Sequence, residues 1–203
     1  MDPAKGLALR AIVSQPWQQV LLIVSHLLFC WWAMMAVHEA GHVLTAVLTG
    51  GQVQHVELHP LAISRTDVAP NPMPLAVVWA GPVFGVVLPL VIWLITSAAR
   101  IKSRFLARSF AAFCLVANGA YIGVGQFDGI GDAGQMMKHG SPDWMLWLFG
   151  IVCVPAGLAL WHRQGPHFGF GDARGEVDPG TLTASVSLMT LALFGIWVFS
   201  YFE

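Results

Sequence analysis

Long runs without a charged side chain dominate the chain, and five are of the length that a membrane-crossing helix needs, about 20 residues. They extend over Ala11 to Val37, Val68 to Ala99, Ser109 to Phe127, Trp144 to Trp161 and Pro179 to Phe202. With loop-like ends trimmed, the pattern predicts spans over residues 17–49, 74–98, 106–127, 143–162 and 181–202. The first run meets His38 and Glu39, but apolar residues resume from Val43 to Leu48, so one long helix continues until Gly50 and Gly51 stop it.

The segments between spans carry their own signals. Gly51 to Pro74 alternates around Val53, Val56 and Leu58 and then collects Pro60, Pro70, Pro72 and Pro74, which predicts a short strand or hairpin beside the membrane. Ser141, Pro142 and Asp143 read as a helix start with Ser141 as cap, and the Gly- and charge-rich stretch from Arg163 to Gly180 reads as a flexible connection. The expected architecture is an all-α polytopic membrane protein of about five helices, a single membrane-embedded domain over residues 1–203.

Composition agrees: 56% of residues are hydrophobic and 10% charged, where soluble domains carry roughly a quarter charged. A net charge of -1 leaves no basic excess for a phosphate backbone, so nucleic acid is not an expected partner. The three cysteines, Cys30, Cys114 and Cys153, lie in apolar stretches without CxxC spacing, which points away from disulfides and thiolate metal clusters. Lys5, Arg10, Arg100, Lys102, Arg104, Arg108, Arg163 and Arg174 fall on one side of a five-span chain, against Arg65 and Lys138 on the other. The positive-inside rule then puts the N-terminus in the cytoplasm. The first run exceeds a signal-peptide core and shows no small-residue cleavage site, so it reads as retained. Trp17, Trp31, Trp32, Trp144, Trp147 and Trp161 fit an interfacial belt.

The candidate chemistry starts at His38-Glu39-Ala40-Gly41-His42, an HExxH sequence on a helix. Residues four apart lie on one face, so both imidazoles can address one metal ion, while Glu39 can reach a water there without itself ligating. Ionisable groups inside an apolar helix cost about 2.5–3.5 kcal/mol for the charged types and are kept for function. Catalytic zinc takes three protein ligands as a rule. The end of span three returns to the face where span one ends and delivers two candidates, Asp128 and Asp132. Asn118, inside span three, is either an oxyanion donor or a cross-link between helices, with the structural role favoured. Gly81 and Gly85, and Gly119 and Gly123, have the spacing that lets helices approach closely, which could bring spans two and three against the metal helix. His55, Glu57 and His59 would share a strand face, read as solvated rather than metal-binding.

HEAGH in an apolar helix, the following Leu44 to Gly51, the strand-like Val53 to Pro60, the Ala80 to Gly85 segment and a downstream acidic motif together resemble the site-2 protease family of intramembrane zinc metalloproteases. The resemblance covers most of Val37 to Asp143 and implies His38 and His42 as ligands of one zinc ion, Glu39 as the base that activates water, and a distant aspartate as third ligand. The family's Asn-Pro-Asp-Gly or Leu-Asp-Gly form is absent. Gly131-Asp132-Ala133, followed by Met136 and Pro142, looks like the Asp-Ala variant of shorter bacterial members, which favours Asp132 over Asp128. The expectation is therefore a zinc-dependent endopeptidase of the bacterial cytoplasmic membrane, acting on membrane protein or peptide substrates within the lipid bilayer. The alternative is a non-proteolytic membrane protein with a structural or sensory metal site.

Overall fold

The computed structural model describes residues 16–59, 61 and 63–202. Lys5, Arg10, the start of the first run at Ala11, and Pro60 lie outside the described residues. Five helices are long and apolar enough to cross a membrane: α1 (Pro16–Leu48), α2 (Pro74–Ala98), α3 (Arg104–Gly125), α5 (Asp143–Trp161) and α6 (Pro179–Phe202). Between α1 and α2 lies an antiparallel hairpin of β1 (Val53–Glu57) and β2 (Arg65–Val68), as the alternation predicts. The eight-residue helix α4 (Gly131–Lys138) links α3 to α5.

Helix α1 ends where the glycine pair predicts. Gly50 adopts φ +78, and the amides of Gly50 and Gly51 bond the carbonyls of Val47 and Ala46 at 3.2 and 2.8 Å. This pair of bonds satisfies carbonyls that the helix end leaves open, and a left-handed residue makes it possible. The hairpin root follows at once, with Gln52 and Ala69 or Pro70 exchanging backbone bonds of 2.9 and 3.1 Å.

Small residues set the helix spacing. A methyl on Gly41 would run into the Ala80 carbonyl and Phe84, so α1 and α2 touch backbone to side-chain base at the middle of the HExxH motif. Gly119 and Gly123 do the same for α3, but toward Cys153 and Gly150 of α5 rather than toward the metal helix. Helix α6 docks on α1 through a buried hydrogen bond of 2.8 Å between the Ser25 and Ser185 hydroxyls and a cluster of Trp32, Met35 and Ile196. Its start is capped by Asp178, which accepts from the amide and hydroxyl of Thr181. Those two bonds hold the Asp178 carboxyl below its ordinary range.

One local expectation is corrected. Ser141 does not cap α5, because its hydroxyl accepts the Trp79 indole N–H at 2.7 Å and the helix starts only at Asp143. The connection from Arg163 to Gly180 contains two short 3-10 turns, Gly165–Phe168 and Gly171–Ala173.

Candidate metal centre

Helical spacing brings His38 and His42 to one face of α1, and each imidazole is fixed by a bond from its Nδ1. His42 Nδ1 lies 2.7 Å from the Val77 carbonyl on α2, and His38 Nδ1 lies 2.7 Å from Asn118 Oδ1 on α3. A carbonyl can only accept, so His42 Nδ1 carries a proton. The Asn118 amide nitrogen donates to the Cys114 carbonyl at 2.9 Å, which leaves Oδ1 as the acceptor and assigns a proton to His38 Nδ1 as well. In both neutral rings the lone pair is then on Nε2.

The two Nε2 atoms are 3.2 Å apart, and Asp132 Oδ2 lies 2.8 Å from the first and 3.4 Å from the second. Three lone-pair atoms thus converge on one point, an arrangement that calls for a cation there. Two ligands of a tetrahedral zinc at its usual bond lengths stand roughly 3.3–3.4 Å apart, close to the separations observed. Gly81 leaves the space in which the two rings sit. A methyl on that residue would overlap His42 Nε2 and lie 2.8 Å from His38 Nε2. The donor set and the space both fit a divalent metal.

Asp132 reaches this point from the first turn of α4. The helix is seated by Ala133 and Met136, three apart and fully buried against Val78, Ile122 and Leu146. Its start is set by Gly131 at φ +57, where a methyl would strike the Tyr121 hydroxyl, and that hydroxyl accepts the Asp132 amide at 3.1 Å. Asp128, four residues earlier, is exposed in the turn after α3.

Glu39 is 3% exposed, and its Oε2 accepts the Thr66 hydroxyl of β2 at 2.6 Å. Among the described residues, His38, Glu39 and His42 present ligand atoms that all lie within 4.8 Å of one another. Asp132 approaches the imidazoles more closely than that limit requires, while Glu39 is engaged by the hairpin. His55 and Glu57 lie 3.5 Å apart on β1, Glu57 also lines the cavity over the centre, and His59 lies beyond the strand.

A cavity of about 1070 Å³ opens over the centre. Its walls include Trp31, Met34 and Met35 of α1, all four residues of β2, and Asn71. Thr66, Gly81 and the Val77 carbonyl were not legible as site groups. The spacing of Gly81 and Gly85 was visible, but nothing in the sequence says which helix faces it. Gly85 backs Asn118, just as Gly81 backs the histidines.

A family model described as Peptidase M50B-like matches residues 7–121, more than half of the chain. The chain belongs to this family, which is the site-2 protease family of membrane metalloproteases. Together with the five apolar helices this makes it an integral membrane protein. No curated protein and no solved structure matches it. The matched range holds the HExxH helix, Gly81, Asn118 and Tyr121 and stops short of Asp132.

Proposed function

We propose that the protein is a zinc-dependent intramembrane endopeptidase. The observation that carries this reading is the convergence of His38 Nε2, His42 Nε2 and Asp132 Oδ2, with both ring tautomers set, beside a buried glutamate. His38, His42 and Asp132 would hold the ion, and Asn118 and the Val77 carbonyl orient the two rings. A bound zinc ion supplies Lewis acidity toward water and toward a peptide carbonyl.

Glu39 takes a proton from the attacking water. As the new C–O bond forms and the C–N bond breaks, it passes that proton to the departing amine. Thr66 donates to Oε2 of this carboxylate and leaves Oε1 open to take the proton. A helical peptide bond is shielded by its own hydrogen bonding, so substrate must enter extended. β2 lines the cavity and pairs with β1 along one edge, which supports strand addition of the substrate along β2. The basic residues support an orientation with the N-terminus in the cytoplasm, and the Asp-Ala motif supports a bacterial cytoplasmic membrane.

The test is metal analysis of purified protein beside a cleavage assay. Glu39→Gln should keep the metal and lose hydrolysis, because the amide keeps the size and loses the base. His38→Ala should lose the metal. A Glu39→Gln variant that cleaves like wild type would overturn the mechanism. Metal bound without any Glu39-dependent cleavage would favour a structural or sensory site.

A further inference from the structure

We propose that Thr66 is a positioning residue through which the hairpin sets the Glu39 carboxylate for proton transfer. The inference rests on the proteolytic reading and adds a residue outside the HExxH helix that this reading does not require. Glu39 has three rotatable side-chain bonds, and its carboxylate is almost wholly buried. Buried carboxylates need a donor. The Thr66 hydroxyl supplies one at 2.6 Å, a charge-assisted bond.

The donor is itself held in place. Thr66 is β-branched, which restricts its side-chain rotamers, and lies on a strand whose register opposite Val56 is fixed. Alternation puts Thr66 and Val68 on one face and Arg65 and Asp67 on the other. Arg65 and Asp67 pair at 3.2 Å. Val68 comes to within 3.1 Å of where a methyl on Gly51 would lie, so the face that carries Thr66 is pressed on the end of α1. One strand therefore both lines the cavity where a peptide would pair and holds the base. Register between a substrate strand and the base is transmitted through this strand.

The test compares Thr66→Val, which keeps shape and loses the donor, with Thr66→Ser, which keeps the donor. Detergent-solubilised full-length protein is assayed on fluorescein-labelled casein, with metal content measured in parallel. Thr66→Val should lower kcat about 10- to 100-fold, the range for loss of a partner that orients a site group, with KM and metal content unchanged, and Thr66→Ser should restore most of it. Hydrogen exchange of the Arg65–Val68 amides gives a readout independent of cleavage. Thr66→Val and Glu39→Ala should each raise it, and the double variant no further than either alone. Wild-type turnover in Thr66→Val, a Ser variant as impaired as Val, or additive exchange effects would overturn the inference. Coupled exchange with no Glu39-dependent cleavage in the wild type would sink the proteolytic reading and leave Thr66 a purely structural contact.

Discussion

Gly81 faces His42 so closely that one methyl group on α2 would overlap the imidazole Nε2. The same methyl would stand 2.8 Å from His38 Nε2, so it would press on both rings of the centre. The glycine is required by the seat of the two imidazoles rather than by its backbone angles. Gly81→Ala should fold, since alanine is a better helix former. Overpacking costs about 1–3 kcal/mol, so metal should bind about 10- to 100-fold more weakly. Titration of apo-protein with zinc measures this, and wild-type affinity in the variant would show that the space serves helix packing alone.

The choice between the two aspartates is tested by their alanine variants. Asp132 is seated by a helix whose buried residues fix its approach, whereas Asp128 is exposed in a turn. Removing a direct ligand should cost at least the roughly 10- to 100-fold seen for outer partners. Asp132→Ala should therefore be stripped at zinc concentrations where Asp128→Ala remains loaded. The reverse result would transfer the ligand role to Asp128.

The spans, the helix stop at Gly50, the hairpin and the HExxH face were all readable, because each follows from local periodicity or turn chemistry. Helix rotation was not. α1, α2, α5 and α6 are apolar on nearly every side, so hydrophobicity does not separate a lipid-facing side chain from a packed one. The inward marks are the small and polar residues, and these say that a contact exists without naming its partner. Gly119 was therefore read as able to face α1, whereas it packs on α5, and Ser141 looked like a cap until Trp79 claimed its hydroxyl. Asp132 was favoured through chain direction and its Gly-Asp-Ala context, yet the short helix that carries it gave no sequence signal of its own.

Asn118 is 1% exposed and links α3 to the metal helix by accepting the Nδ1 proton of His38. That bond fixes the ring and enriches the electron density at Nε2. Asn118→Ala should weaken zinc binding about 10- to 100-fold. Asn118→Asp retains an acceptor at the same place and should bind far better than the alanine variant. Equal loss in both would mean that the amide matters through its bond to the Cys114 carbonyl instead, which can be checked by the thermal stability of the two variants.

Orientation decides which leaflet holds the centre. The path of the five helices puts the α2–α3 turn, with Arg100, Lys102 and Arg104, at the end of the bundle opposite the hairpin and α4. Basic loops stay in the cytoplasm, so the metal centre should lie toward the other face. The native cysteines are buried, which leaves an introduced cysteine as the target for a membrane-impermeant maleimide. Arg104→Cys should be labelled only from the cytoplasmic side, and Ile63→Cys, at the 80% exposed hairpin tip, only from outside. Labelling in the opposite sense at both positions would invert the protein and place the centre in the cytoplasmic leaflet, so that a peptide would reach β2 from the cytoplasm.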